Sequence, residues 1–317
     1  MKKKSQNNIA KLDAEGLSLK SVSLWQITWR RLFRRKSAMV GLGILAFLVL
    51  IAVSAQWLAP YGPNQVLIGV EDVGVRQAPC IHLFGCPEDQ PQHIMGIDGN
   101  VRDEFSRMLY GARMSLIIGL STVTFSIIIG TVLGALGGYL GGWVDMVIMR
   151  VMDVLLAFPS LLLAIAIVTV LGPGLINALL AIGIVSIPHY ARVVRASVLS
   201  VREMDYVAAA QAMGGSTPHI LFKRILPNGL TPLIVQGTLG IASAILEAAA
   251  LSFLGLGAQP PLAEWGLMLG AERNQVFTAP HLVFYPGLGI MLTVLAFNLL
   301  GDGLRDALDP RLGHVSG

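Results

Sequence analysis

Four stretches of the chain, residues 114–144, 154–191, 225–246 and 274–301, contain no Asp, Glu, Lys or Arg. A helix rising 1.5 Å per residue crosses the ~30 Å hydrocarbon core of a bilayer with about 20 apolar residues, so each stretch is long enough to span one. Only 13% of the 317 residues are charged and 54% are hydrophobic, whereas soluble domains carry roughly one-quarter charged residues. Lipid is therefore the expected solvent for most of the chain. In lipid the backbone must satisfy its own polar groups, which leaves helices or a closed barrel. These Leu-, Ile-, Val-, Ala- and Gly-rich runs lack the apolar/polar alternation of barrel strands. The expected fold is an all-α polytopic membrane protein with six transmembrane helices near 38–58, 115–136, 144–171, 175–199, 230–254 and 281–300. Gly172-Pro173-Gly174 marks the turn between the third and fourth.

Lys and Arg set the orientation. With a cytoplasmic N-terminus, inside segments hold 18 of the 23 basic residues, and outside loops keep only Arg76, Arg102, Arg107, Arg113 and Arg273. That satisfies the positive-inside rule and places both termini, and residues 205–227, in the cytoplasm. The net charge of +4 comes from residues flanking apolar runs; it does not form a basic soluble face, so nucleic acid is not an expected partner. The first apolar run follows about 36 polar and basic residues and is too long for a signal-peptide h-region, so it reads as a retained span. The resulting layout is a cytoplasmic N-terminal tail (1–36), a first span (37–59), an extracytoplasmic segment (60–112), a core transmembrane domain (113–304) containing a loop at 200–227, and a cytoplasmic C-terminal tail (305–317). Residues 1 to 20 are polar and expected to be disordered. Just before the first span, Trp25, Trp29, Leu32 and Phe33 fall on one helical side with arginines mostly elsewhere. The pattern fits a helix lying in the membrane interface or a basic flank that fixes orientation.

A search for catalytic chemistry finds none. There is no G-x-x-x-x-G-K-[ST], so the chain has no P-loop with which to hold nucleotide phosphates, and no H-E-x-x-H, G-x-S-x-G or intramembrane carboxylate pair. Gly130, Gly134, Gly138 and Gly142 recur every four residues, a spacing that lets helix backbones approach closely. Arg150 and Asp153 are expected to pair on one face of the third span. Glu247, deep in the fifth span, is expected to face either a translocation pathway or an interhelical partner. His189 can line such a path or be satisfied by a neighbour. The two cysteines, Cys80 and Cys86, bracket a short outside loop that a disulfide can close; free thiols, or metal binding with nearby His82 and His93, are the alternatives.

The strongest feature is cytoplasmic. From Arg202 to Pro227, Asp205, Tyr206 and an Ala-rich run through Ala208, Ala209 and Ala210 make a slim helix. Gly214-Gly215 ends that helix, and Thr217-Pro218 starts another. Two short helices across a sharp turn suit another protein's groove. An ordinary solvated loop does not account for so much aliphatic surface outside the membrane.

This stretch resembles the EAA loop of ABC importer permeases, with Ala209, Ala210, Gly214, Leu226 and Pro227 in register. Ala208 stands where Glu is usual, and Arg224 occupies an aliphatic slot with Ile225 beside it. A narrower resemblance runs from Arg30 onward to the C-type permeases of dipeptide, oligopeptide and nickel importers. It rests on the segments starting at His93 and at Tyr110, on Leu251-Ser252-Phe253-Leu254-Gly255-Leu256-Gly257, on Glu264-Trp265-Gly266, and on the run from Ala296 to Arg311. The resemblance implies a type I importer permease fold and a coupling loop made of Asp205, Tyr206, Ala208, Ala209, Ala210, Gly214, Gly215, Leu226 and Pro227. It also implies a heterodimer with a B-type permease, two ATP-binding subunits carrying ATP and Mg, and an extracytoplasmic peptide-binding protein. This chain itself would bind no cofactor. Alternatives are a permease for nickel or another small solute, an ion-coupled secondary transporter acting alone, and a structural or receptor module.

Overall fold

The computed structural model describes residues 24–308, and among them there are helices and loops but no named β-strand. The polar stretch 1–20 and Asp309-Pro310-Arg311 lie outside the described residues. Long helices are α1 (Leu24–Arg34), α2 (Lys36–Leu58), α3 (Glu104–Leu140), α4 (Gly142–Leu156), α5 (Ser160–Leu171), α6 (Leu175–Arg202), α10 (Thr231–Phe253) and α12 (His281–Leu308). Shorter ones are α7 (Asp205–Ala212), α8 (Thr217–Ile220), α9 (Leu226–Gly229) and α11 (Trp265–Glu272).

Five helices, α2, α3, α6, α10 and α12, are each long and apolar enough to cross a membrane, and α4 with α5 adds a sixth if the bent pair is one span. That sixth corrects the straight third span expected from the sequence, because α4 and α5 meet at 93°. The cause is local. Pro159 has no N–H to continue the helix, and the residue before a proline is pushed out of the helical region, so α4 stops at Leu156 and α5 restarts at Ser160.

Three of the four spaced glycines do what their spacing predicts. A Cβ on Gly130 would stand 3.0 Å from the Ala191 nitrogen, and one on Gly138 would stand 3.0 Å from the Arg195 carbonyl. Gly134 abuts the Ala191 carbonyl in the same way, so the α3 backbone lies directly on α6, with which it packs most extensively. The fourth differs: Gly142 opens α4 at φ +55° with nothing near its Cβ position, serving the turn instead of the packing face.

The expected Arg150–Asp153 pair is also corrected. Asp153 Oδ1 accepts from Arg192 on α6 at 2.6 Å, and Arg150 makes no ion pair among the described residues. The α4 helix lies along α6, so its acids face that neighbour; Asp145 likewise takes a two-pronged contact from Arg195 at 2.5 and 2.6 Å. In α1, Leu32 is buried with Ala38 and Ala307, while Trp29 and Phe33 stack at 5.6 Å and stay half-exposed. The apolar residues of α1 therefore divide between bundle and surroundings and do not form one face; the side chain of Trp25 lies outside the described ones.

Residues 60–103 have little regular structure and are held by buried ionic contacts. Asp103 caps α3 by accepting from the Ser106 N–H at 2.7 Å, and its other oxygen contacts His93 Nδ1 at 2.9 Å. The far side of that imidazole meets Glu71 at 3.0 Å, and Tyr61 donates to Glu71 at 2.6 Å. Burial disfavours the imidazolium, yet the hydrogen bonds and charges of Asp103 and Glu71 outweigh it and hold His93 above its ordinary pKa. His93 thus serves these acids and not a metal with the cysteines. Cys80 and Cys86 are bonded to each other across Cα atoms 5.4 Å apart. Arg107 donates to the carbonyls of Pro63 (2.8 Å) and Leu262 (3.2 Å), and Arg76 reaches Glu272 at 2.7 Å, so this segment is tied to the loop ahead of α11 and to α11 itself. Trp265, fully buried, donates to the Met108 carbonyl at 3.2 Å and packs closely against Gly111 and Gly289.

Candidate functional site

The first candidate is the element after α6. The α7 helix ends in a Schellman turn: Gly215 N–H donates to the Ala210 carbonyl (3.1 Å), and Gly214 N–H donates to Gln211 (2.9 Å), with Gly214 at φ +78°. The left-handed position favours glycine, and a Cβ at Gly215 would stand 2.9 Å from the Ala210 carbonyl. Pro218 starts α8 in the first helical turn, where its missing N–H costs nothing. The chain then passes through one π turn, Leu221–Ile225, in which Leu226 N–H reaches back to the Leu221 carbonyl. Pro227 follows directly, and the wider turn accommodates a residue that cannot donate.

Tyr206 and Asn228 fasten the two limbs. Asn228 Nδ2 donates to the Arg224 carbonyl (2.7 Å) and to the Tyr206 hydroxyl (3.2 Å). Beneath them Val207, Ile220, Leu221 and Ile225 are buried in the main core, with Ala210 and Leu226 packed against it. This underside anchors the element to the bundle, while Ala208 and Ala209 are exposed and Met213 and Phe222 are 80% and 59% exposed. A slim ridge that exposes small and apolar side chains between polar and charged ones is a shape that inserts into a groove.

The second candidate is a cavity of about 300 Å³ between α5, α6 and α10. Ser160, Ser186, His189, Gln236, Ser243 and Glu247 line it, and Ser160 Oγ donates to Glu247 Oε1 at 2.8 Å. His189 follows Pro188 within α6, and Tyr190 beside it is buried against Gly240. The structure thus brings Glu247 and His189 into one cavity, which shares no lining residue with the ridge of α7–α9. The sequence reading missed Ser160, Ser186, Gln236 and Ser243. Their signal was present in the spacing: Gln236, Ser243 and Glu247 are seven and four apart, hence on one helix face of an otherwise apolar span.

The helical bundle and its sharply turned ridge fit one class, the membrane-embedded permease subunit of an ATP-binding cassette importer, and the similarity to known proteins shows it. Residues 126–314 match the family described as the binding-protein-dependent transport system inner membrane component, and the chain belongs to that family. Residues 23–79 match the N-terminal TM domain of oligopeptide transport permease C. The dipeptide transport system permease protein DppC of Alkalihalophilus pseudofirmus is 48% identical over 92% of this chain and 91% of its own length. The di/tripeptide transport system permease protein DppC of Pseudomonas aeruginosa is 48% identical over 91% of this chain and 92% of its own. The glutathione transport system permease protein GsiD of Pectobacterium atrosepticum is 44% identical over 91% of each. Among solved structures, the inward-facing MetNI methionine ABC transporter superimposes with a TM-score of 0.53 at 18% identity, covering 64% of this chain and 96% of that one; it shares the fold. The chain is thus a multi-pass inner-membrane subunit that works within a transporter complex.

Proposed function

We propose that this permease carries short peptides inward across the cytoplasmic membrane by alternating access, using ATP that partner subunits bind and hydrolyse. The observation that carries the reading is the ridge of α7–α9, closed by its own hydrogen bonds and exposing Ala208, Ala209, Met213 and Phe222 among polar and charged residues, on a chain whose sequence contains no P-loop. Such a chain must borrow its engine, and the ridge supplies the contact. Asp205, Tyr206, Ala208, Ala209, Ala210, Gly214, Gly215, Leu226 and Pro227 form the coupling element, seated in a groove of a cytoplasmic ATP-binding subunit that holds ATP and Mg. A homologous B-type permease completes the pathway, and an extracytoplasmic binding protein delivers the peptide. The Lys and Arg distribution supports cytoplasmic termini. Peptide cargo is favoured because the relatives named for dipeptides, di/tripeptides and glutathione all match nine-tenths of the chain. Coupling requires that ATP and the docked delivery protein each favour one conformation, since a ligand with equal affinity for both shifts nothing.

The test is co-purification and transport. Wild-type chain is expected to hold its ATP-binding subunit and support ATP-driven peptide uptake. Ala210→Arg, which forces a long charged chain against the buried core beneath α7, is expected to insert in the membrane but lose both. Normal uptake by the Ala210→Arg variant, or a wild type that binds no ATPase, contradicts the reading.

A further inference from the structure

The polar cavity between α5, α6 and α10 holds a carboxyl group that no cation pairs with among the described residues. Glu247 Oε1 accepts from Ser160 Oγ, but Glu247 makes no ion pair among the described residues. A carboxylate has about four acceptor positions, so most of its capacity is free. Glu247 is the one acid lining the cavity, and neither Lys nor Arg lines it. An ionisable group deep in a membrane span is costly unless it faces water, a partner or cargo, and this one opens on a space large enough for a small ligand.

We propose that Glu247 receives the free ammonium group of a short peptide in transit, with Ser160 orienting the carboxylate; the proposal rests on the peptide-importer reading above. The dimensions leave room. Gln236 and Glu247 are eleven residues apart on α10, about 16 Å along the helix, and an extended dipeptide spans about 7 Å, so the cavity takes a dipeptide at the Glu247 end with space beyond it for a longer peptide. The amide of Gln236 and the hydroxyls of Ser186 and Ser243 can exchange hydrogen bonds with any peptide unit, because they read backbone and not side chain. A free ammonium and at least one amide are the chemistry that dipeptides, tripeptides and glutathione share, so one acid among polar groups selects the class without selecting the sequence.

A labelling experiment on the assembled complex tests this. Cys80 and Cys86 are bonded to each other, so Ser243→Cys, in a complex whose partner subunits lack cysteine, places one reactive thiol in the cavity. Its alkylation by N-ethylmaleimide is followed without nucleotide. Alanyl-alanine is expected to slow the reaction at least ~3-fold once its concentration exceeds twice its dissociation constant, and N-acetyl-alanyl-alanine is expected to leave it unchanged. Glu247→Gln should remove the protection, and Glu247→Asp should keep part of it. Equal protection by both peptides, no protection by either, or full protection in the Gln variant overturns the proposal. So does a Gln variant that no longer assembles with its partners, since Glu247 would then be an interhelical contact. ATP-driven uptake of alanyl-alanine by the wild-type complex is measured in parallel; its absence defeats the peptide reading itself, whereas uptake without protection defeats only the assignment of Glu247.

Discussion

Replacing Gly214 by Val isolates the backbone geometry of the docking ridge from every side-chain contact. Gly214 sits at φ +78°, and a Cβ there would meet nothing within 4 Å. The penalty is therefore conformational and not steric. Holding the left-handed conformation costs an L-residue roughly 1–2 kcal/mol, and more for a β-branched one. Escaping it breaks the two hydrogen bonds of the turn, Gly215 to Ala210 and Gly214 to Gln211, worth about 0.5–1.5 kcal/mol each. By either route the docked geometry becomes about 1–3 kcal/mol less accessible, which at 1.4 kcal/mol per tenfold predicts a ~5- to 150-fold weaker hold on the ATP-binding subunit. The assay is titration of purified ATP-binding subunit onto the permease pair in lipid nanodiscs, with ATPase stimulation as a second readout. Asn enters the left-handed region readily, so Gly214→Asn should stay within ~3-fold of wild type. A Val variant that binds normally, or an Asn variant as weak as Val, refutes the argument that the turn sets the ridge.

Three further outcomes follow from the packing and the ion pairs. Gly134→Val, which drives a branched side chain into the Ala191 carbonyl, should cost about 1–3 kcal/mol by overpacking, whereas Gly43→Ala, with open space around its Cβ, should melt within a degree or two of wild type. Arg192→Ala should lower the melting temperature of the complex more than Arg150→Ala, because Asp153 pairs with Arg192; the reverse order would restore the same-helix pair. His93 is held above its ordinary pKa by Asp103 and Glu71, so its stabilisation is full below about pH 6.5 and is lost as pH rises through the elevated folded value. The melting-temperature advantage of wild type over His93→Gln should therefore shrink between acid and alkaline pH, and a constant gap would show that the clasp does not titrate.

Much of this was legible in the sequence, and the parts that were not have identifiable reasons. The spans showed through their missing charges, because lipid punishes charge everywhere along a segment. The ridge showed through composition: Ala runs, a Gly pair and a Pro occupy the positions that the helix, the Schellman turn and the restart require. The 93° break between α4 and α5 was hidden because Ala157-Phe158-Pro159 leaves the apolar run unbroken, and hydropathy measures solvent preference without direction. Asp153 was assigned to Arg150 because helical spacing sees only its own helix; its partner, Arg192, lies 39 residues on in the chain. The clasp of Glu71, His93 and Asp103 escaped for the same reason, since a segment with no period offers no face to read. The cavity was half visible: Glu247 and His189 stood out as rare ionisable groups, while the serines and Gln236 passed as tolerated polar residues until three helices brought them together.

The central claim, that this permease moves peptides on borrowed ATP, is tested most directly in proteoliposomes containing the chain, its partner permease and the two ATP-binding subunits, supplied with peptide-loaded binding protein. ATP together with the binding protein is predicted to drive uptake of labelled dipeptide, and an ion gradient without ATP is predicted to drive none. Gradient-driven uptake by the purified chain alone, or no uptake with every component and ATP present, would contradict it.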